Sequence, residues 1–148
     1  MQLLCEYSNN EVQTINPGED AIFSTVVEPC TRDFIRHRNQ TGSFLLSGAV
    51  ACRCKKTADY IVDFGGNIAI AEGGTVEPIS VAITLDGSTI PASEMIVTPA
   101  AVNEYFNVAR QIDADVWAGC CETVTVRNLS SQPIFMQNAT ISINRARN

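Results

Sequence analysis

Catalysis needs groups that donate, accept or ligate within reach of one another, and this chain is sparing with them. It has one histidine, His37. Any Ser-His-Asp or Cys-His device would have to use that residue as its base. His37 stands between Arg36 and Arg38, whose like charge predicts a lowered basicity. The run Phe34-Ile35-Arg36-His37-Arg38 alternates apolar and basic residues. It reads as a strand, with His37 a hydrogen-bonded sheet residue and Ile35 pointing the other way. Asp113 and Asp115 alternate along a second extended stretch, with Glu122 nearby in sequence. Carboxylates so spaced serve in glycosidase couples or as calcium ligands, but D-x-D on a strand reads first as a solvated face. Gly65-Gly66 and Gly73-Gly74 lack the lysine and the following helix of a phosphate-binding loop. The expectation is therefore a protein that is not an enzyme, with no catalytic residue, no metal ligand and no cofactor.

The six cysteines are Cys5, Cys30, Cys52, Cys54, Cys120 and Cys121. Their pairs are C-x-C and C-C. Structural zinc and thiol redox catalysis both favour C-x-x-C, and zinc would also want histidines. These residues read as structural thiols or disulfides. Adjacent cysteines rarely bond each other, because the small ring is strained. Cys120 and Cys121, if oxidised, are expected to reach other strands or a neighbouring subunit.

Two further groups are candidates for contact rather than chemistry. Arg36, His37 and Arg38 form a basic patch against an acidic background, suited to carboxylates across a subunit boundary. Large apolar side chains exceed what one copy needs. Phe44, Tyr60, Phe64, Tyr105, Phe106, Phe135 and Met136 are the expected subunit interface. Tyr105, Phe106 and Trp117 are also rings of the kind that stack on sugars.

The elements that position these residues are short strands. Ile79-Ser80-Val81-Ala82-Ile83-Thr84-Leu85 alternates strictly and is followed by Asp86-Gly87, a hairpin signal. Tyr60-Ile61-Val62-Asp63-Phe64 runs into Gly65-Gly66, which predicts a bulge or sharp bend. Asn16-Pro17-Gly18 predicts a turn. The window 100–109 is ambiguous between a helical turn and an extended strand, and Val102, Tyr105, Phe106 and Val108 favour the latter. About ten strands spaced roughly 8–12 residues apart give the cadence of a sandwich or barrel. Residues 1–10 read as an N-terminal tail or docking arm, and 11–148 as one domain.

The chain has 148 residues, 45% of them hydrophobic and 18% charged, which suits one folded core. The net charge of −6 gives no electrostatic attraction to nucleic acid or an anionic membrane. No apolar run is long enough to span a membrane as a helix. The start, Met1-Gln2-Leu3-Leu4-Cys5-Glu6-Tyr7, lacks the basic and long apolar segments of a secretory leader. The expected route out of a cell is lysis or release with a particle.

Several segments carry a resemblance. Tyr60-Ile61-Val62-Asp63-Phe64 resembles the long inner strand of tumour-necrosis-factor-like and complement-type globular heads. ISVAITLDGSTIPAS (79–93) resembles the alternating strand and NGxxIPGS hairpin of collagen-like exosporium proteins, with Asp86-Gly87 for Asn-Gly and Ala92 for the glycine. VTVRNLSSQPIFMQNATISINR (124–145) resembles the closing hairpin of the same heads. FIRHR, FGGNIA, MIVTPAAVNEYFNV and CCETVTVRN are similar to strings in short proteins of gut Firmicutes and their phages. The resemblance, spanning roughly 11–146, implies an all-β jelly-roll sandwich of about ten strands, TNF-like, assembled as a trimer. No Gly-X-Y repeat occurs in the sequence. The implied function is a structural virion component, a trimeric phage capsid decoration or head-fibre protein. Its partners are copies of itself and phage capsid or other particle surface proteins, at the virion surface. The alternatives are a receptor- or glycan-binding head, or a protein of a bacterial spore or cell surface.

Overall fold

The computed structural model of the chain describes residues 2–31, 33–50 and 54–146. Among them are twelve strands, one 3-10 turn at Pro91–Ser93 and no α-helix. The strands are β1 (Gln2–Asn9), β2 (Gln13–Ile15), β3 (Thr25–Glu28), β4 (Ile35–His37), β5 (Phe44–Gly48), β6 (Thr57–Ile70), β7 (Ile79–Leu85), β8 (Ser88–Thr89), β9 (Met95–Val97), β10 (Phe106–Trp117), β11 (Gly119–Asn128) and β12 (Ile134–Arg145). They form two antiparallel sheets packed face to face. The first runs β10-β6-β12-β1-β3, with β2 also paired to β12; the second runs β4-β5-β11-β7-β8, with β9 also paired to β7. This is the jelly-roll sandwich expected from the resemblance, with two more short strands than the sequence suggested.

Period-2 alternation builds the core. Along β6, Ala58, Tyr60, Val62, Phe64, Ile68 and Ile70 are buried, and Ile134, Met136, Ile141 and Ile143 of β12 lie beside them. The opposite wall is Phe44 and Leu46 of β5, Val124 and Val126 of β11, and Val81 and Ile83 of β7. Phe44 sits in a cluster of rings, 5.4 Å from Tyr7 and 6.0 Å from Phe23 between centroids, and Phe23 reaches Phe64 at 6.3 Å. Four of the seven residues expected at a subunit interface therefore belong to the chain's own core. Phe44, Tyr60, Phe64 and Met136 are all at most 3% exposed. They occupy inward positions of their strands, so the sandwich itself consumes that apolar surplus.

The expected N-terminal arm is also revised. Residues 2–9 are β1, hydrogen-bonded between β12 and β3, with Cys5 and Tyr7 in the core. A disulfide joins Cys5 to Cys30, just beyond β3. Cys54 is disulfide-bonded as well. Cys52 and the side chain of Cys120 lie outside the described residues.

The Asp86-Gly87 hairpin forms as read, with φ of 49° and 81° at its two turn residues and Leu85 opposite Ser88. The double glycine behaves differently. β6 passes straight through Gly65-Gly66, and the bulge lies across from it on β12, between Gln137 and Thr140. Asn138 there has φ 54° and Ala139 turns into the core. A Cβ on Gly66 would stand 3.3 Å from the Phe64 ring and 3.4 Å from the Ala139 Cα. The glycine makes room for its partner's bulge. The 100–109 window divides: a turn, with Asn103 at φ 63°, precedes the strand from Phe106.

Replacing Phe44 by Ala is expected to cost about 4 kcal/mol in urea unfolding, and Phe135→Ala less than half of that. Removing the Cys5–Cys30 bridge by the double serine variant should cost about 3 kcal/mol, given the 25-residue separation it closes.

Candidate functional site

The sandwich leaves two outward sheet faces, and the remaining candidates divide between them. On the first sheet, the cross-strand register of β10, β6 and β12 sets out rows of side chains. Beginning at the Trp117 end, they are Trp117 with Thr57; Asp115 with Asp59; Asp113, Ile61 and Asn144; and Gln111, Asp63 and Ser142. Beyond these come Ala109, Gly65 and Thr140, then Asn107, Asn67 and Gln137. Phe135, half-buried, follows beside Ala69. The face is zoned, with acids toward one end and small or uncharged groups through the middle and the other end. Trp117 is 66% exposed. Tyr105 lies just before the opposite end of β10, so these two rings cannot share one sugar. Phe106 shares the inward parity of Val108 and is half-buried at the sandwich end.

Asp113 and Asp115 do lie on a solvated face. Asp115 faces Asp59 across the ladder, and its carboxyl is pushed above the usual range by burial first, then by a hydrogen bond and like charge from Asp59, with Asp113 adding repulsion. Thr57 Oγ1 donates to Asp59 at 2.8 Å. Glu122 is also raised, by burial and by Asp86 and Asp115. Among the described residues no three His, Cys, Asp or Glu side chains are placed to hold a metal ion.

On the second sheet, β4 is an edge strand. Arg36 and Arg38 point outward and are exposed. His37 turns inward, its ring 4.1 Å from Tyr7 and 4.5 Å from Phe44, with Nε2 donating to the Thr41 carbonyl at 2.9 Å. Ile35 is buried on the same side. Residues two apart on a strand share a face, so the expected opposition of Ile35 and His37 is corrected. So is the reason for the lowered basicity: burial of the ring lowers it, the Thr41 hydrogen bond offsets part of that, and the arginines face away. His37 is half-buried against the core rings of Tyr7 and Phe44, and the outward basic patch reduces to two arginines.

Those arginines border a trough that the sequence reading missed. One hollow of about 300 Å³ is lined by Arg36, His37, Arg38, Ser43, Leu45 and Thr123. A second, of about 310 Å³, adjoins it through Arg36 and Leu45 and continues past Ser47 to Asp33, Gly119 and Cys121. The register explains the grouping, because Leu45 stands opposite both Arg36 and Thr123. The signal was present in Ser43-Phe44-Leu45-Leu46-Ser47. If Phe44 and Leu46 face the core, residues 43, 45 and 47 face out.

At the closed end of the sandwich, Arg145 crosses between sheets. Its guanidinium lies 4.4 Å from the Phe34 ring centroid, Nη1 donates to the Tyr60 hydroxyl at 3.1 Å, and Nη2 donates to the Ala49 carbonyl. The Tyr60 hydroxyl is 2.7 Å from the Ser47 carbonyl. Burial raises the phenol's pKa, although Arg145 pulls the other way. This is structural wiring rather than a basic patch.

No protein-family model matches the chain, and no curated protein matches it significantly. Among solved structures, the globular domain of zebrafish complement 1qA is similar at a TM-score of 0.55 and 10% identity, covering 99% of this chain and 100% of that one. The C-terminal domain of EclA, a sugar-binding protein, scores 0.42 at 14% identity over 90% of this chain and 78% of its own. The CBM22-1 xylan-binding domain of Paenibacillus barcinonensis Xyn10C scores 0.41 at 12% identity, covering 99% and 97%. The chain has the complement-type, TNF-like jelly-roll fold.

Because the Asp115 carboxyl is raised, ionising it opposes folding at neutral pH, and the penalty disappears as pH falls below its usual 3.8. Asp115→Asn should therefore stabilise the protein at pH 7 by about 0.5 kcal/mol, the scale of one exposed cross-strand charge pair. The gain should vanish near pH 3. His37 has the opposite sign: its lowered pKa supports the fold above the usual 6.5 and withdraws that support as pH falls below it. Thermal melts across pH, comparing the wild type with D115N, separate the two.

Proposed function

We propose that the chain is a non-enzymatic head domain that works as a homotrimer on a particle surface. The first candidate is a phage virion, as capsid decoration or head-fibre protein; a bacterial spore or cell surface is the second. The observation that carries this reading is the outer face of β10, β6 and β12. Its middle rows, from Ala109-Gly65-Thr140 to Asn107-Asn67-Gln137, hold no charge, and among the described residues no other strand covers them.

Interface cores are depleted of charge and favour close approach. Gly65 and Ala109, side by side, let a second backbone come near. Phe135 flanks the uncharged rows and supplies apolar area, taking the role that the buried Phe44 and Met136 cannot. Closed symmetry at such a face yields a compact oligomer suited to repetition on a shell. The Cys5–Cys30 bridge fits a protein whose working life is spent outside a reducing cytosol.

Analytical ultracentrifugation should give three times the 16.0 kDa chain mass. Ala109→Arg and Thr140→Arg, each placing charge in the uncharged rows, should shift the protein to monomer while leaving its circular dichroism unchanged. A wild-type protein that sediments as a lone chain at micromolar concentration overturns the trimer. Mass spectrometry of gradient-purified particles should find the chain in fixed ratio to the shell protein; its absence from them overturns the particle assignment.

A further inference from the structure

We propose that the trough on the outer face of the second sheet, around Arg36, Arg38 and Leu45, binds an acidic saccharide. The site lies on the sheet opposite the one assigned to assembly, and it stands whether or not that assembly forms.

The protein carries a net −6, yet Arg36, on the edge strand β4, and Arg38, in the turn just past its end, both border the same hollow. Neither makes an ion pair with a carboxylate among the described residues, where the one such pair is Arg127 with Asp20, 3.0 Å apart. Arginine on an edge strand guards against strand-to-strand aggregation. That accounts for charge at the edge, but not for a hollow beside it that is lined with hydroxyls.

The lining determines the class of ligand. Two adjoining hollows of about 300 Å³ and 310 Å³ are the size of small-ligand subsites. Arg36 and Arg38 offer forked donors to an anionic group. Ser43 and Thr123 supply hydroxyls at the same end, and Ser47 supplies one further along. Leu45, 36% exposed between the hollows, gives an apolar floor for the C–H face of a pyranose ring. Asp33, at the far end, repels an anion and so fixes polarity: the acidic group lies by the arginines, and the neutral ring extends toward Ser47 and Gly119. An acidic peptide is the competing occupant. Extended peptides bind sheets through main-chain groups at an open edge, whereas this trough is walled by side chains on a sheet face.

The test is amide NMR of the full-length ¹⁵N-labelled protein at low salt, titrated with 3′-sialyllactose, a hyaluronan tetrasaccharide, 3′-sulfolactose, lactose and hexaglutamate. At least one acidic saccharide should shift the amides of Ser43, Leu45 and Thr123, while lactose leaves them in place. The three acidic probes distinguish sialyl, uronyl and sulfate sources of the anion. Arg36→Gln and Arg38→Gln should each weaken binding about tenfold with melting temperature unchanged, since both side chains are exposed. Thr123→Ala, which keeps the charges, should weaken it less. The proposal is overturned if no acidic saccharide binds, if lactose binds equally, if hexaglutamate alone binds, or if the shifts persist in the double arginine variant.

Discussion

Fourteen consecutive residues in one unbroken extended strand govern this molecule. β6, from Thr57 to Ile70, is the longest strand, and it pairs along most of its length with β10 on one side and β12 on the other. Because side chains alternate, its even-numbered positions from Ala58 to Ile70 are committed to the core. Its odd-numbered positions from Thr57 to Asn67 are committed to the outer face. A slip of one residue would exchange these sets, placing Asp59 and Asp63 in the core and Tyr60 and Phe64 in water. The register is held against that slip by Gly66, whose missing side chain receives the Ala139 bulge of β12. Bulge and glycine fix each other.

The polar side chains that the fold buries, some inside the sandwich and some on the covered part of the second sheet's outer face, are each met. Asn128, 1% exposed, donates to the carbonyls of Ile15 and Gln132 and accepts from the Ser130 amide. Ser93 bridges the Ile83 and Ile90 main chains. Thr84 and Thr125 share a hydrogen bond under Asp20, which also accepts from Arg127 at 3.0 Å. Among the described residues no buried side-chain nitrogen or oxygen lacks a partner. Unmet groups would cost more than these bonds contribute, so the buried polar links are as specific as the apolar packing.

How far the sequence disclosed this varies with the physical origin of each feature. The strands of β7 and β12 and the Asp86-Gly87 hairpin were legible because alternation and turn chemistry are local. The allocation of Phe44, Tyr60, Phe64 and Met136 was not. Apolar character says that a residue must be covered, not whether its own chain or a copy covers it. β1 was misread as an arm because its pairing partner, β12, lies at the other end of the chain, and sequence patterns do not show such distant pairing. The trough escaped for a related reason. Ser43, Leu45 and Thr123 are unremarkable until β4, β5 and β11 come together, although the outward parity of residues 43, 45 and 47 was already written beside Phe44. His37 shows the reverse case, where the direction of its pKa shift was legible but its cause was not: the local charges were visible, and the burying rings of Tyr7 and Phe44 were not.

Charge zoning on the first sheet gives the assembly reading its geometry. Asp59, Asp63, Asp113 and Asp115 occupy three adjoining rows on one part of the face, while the rows beyond them are uncharged. Burying those rows between copies would bring each cluster against two others and desolvate carboxylates that already repel within one chain. In the proposed trimer the contact would therefore concentrate on the uncharged rows near Phe135, with the acidic end splayed into solvent. That arrangement would keep Trp117 accessible and tilt the proposed protomers against the assembly axis. It would also leave the second sheet, with its two arginines, facing outward on every copy.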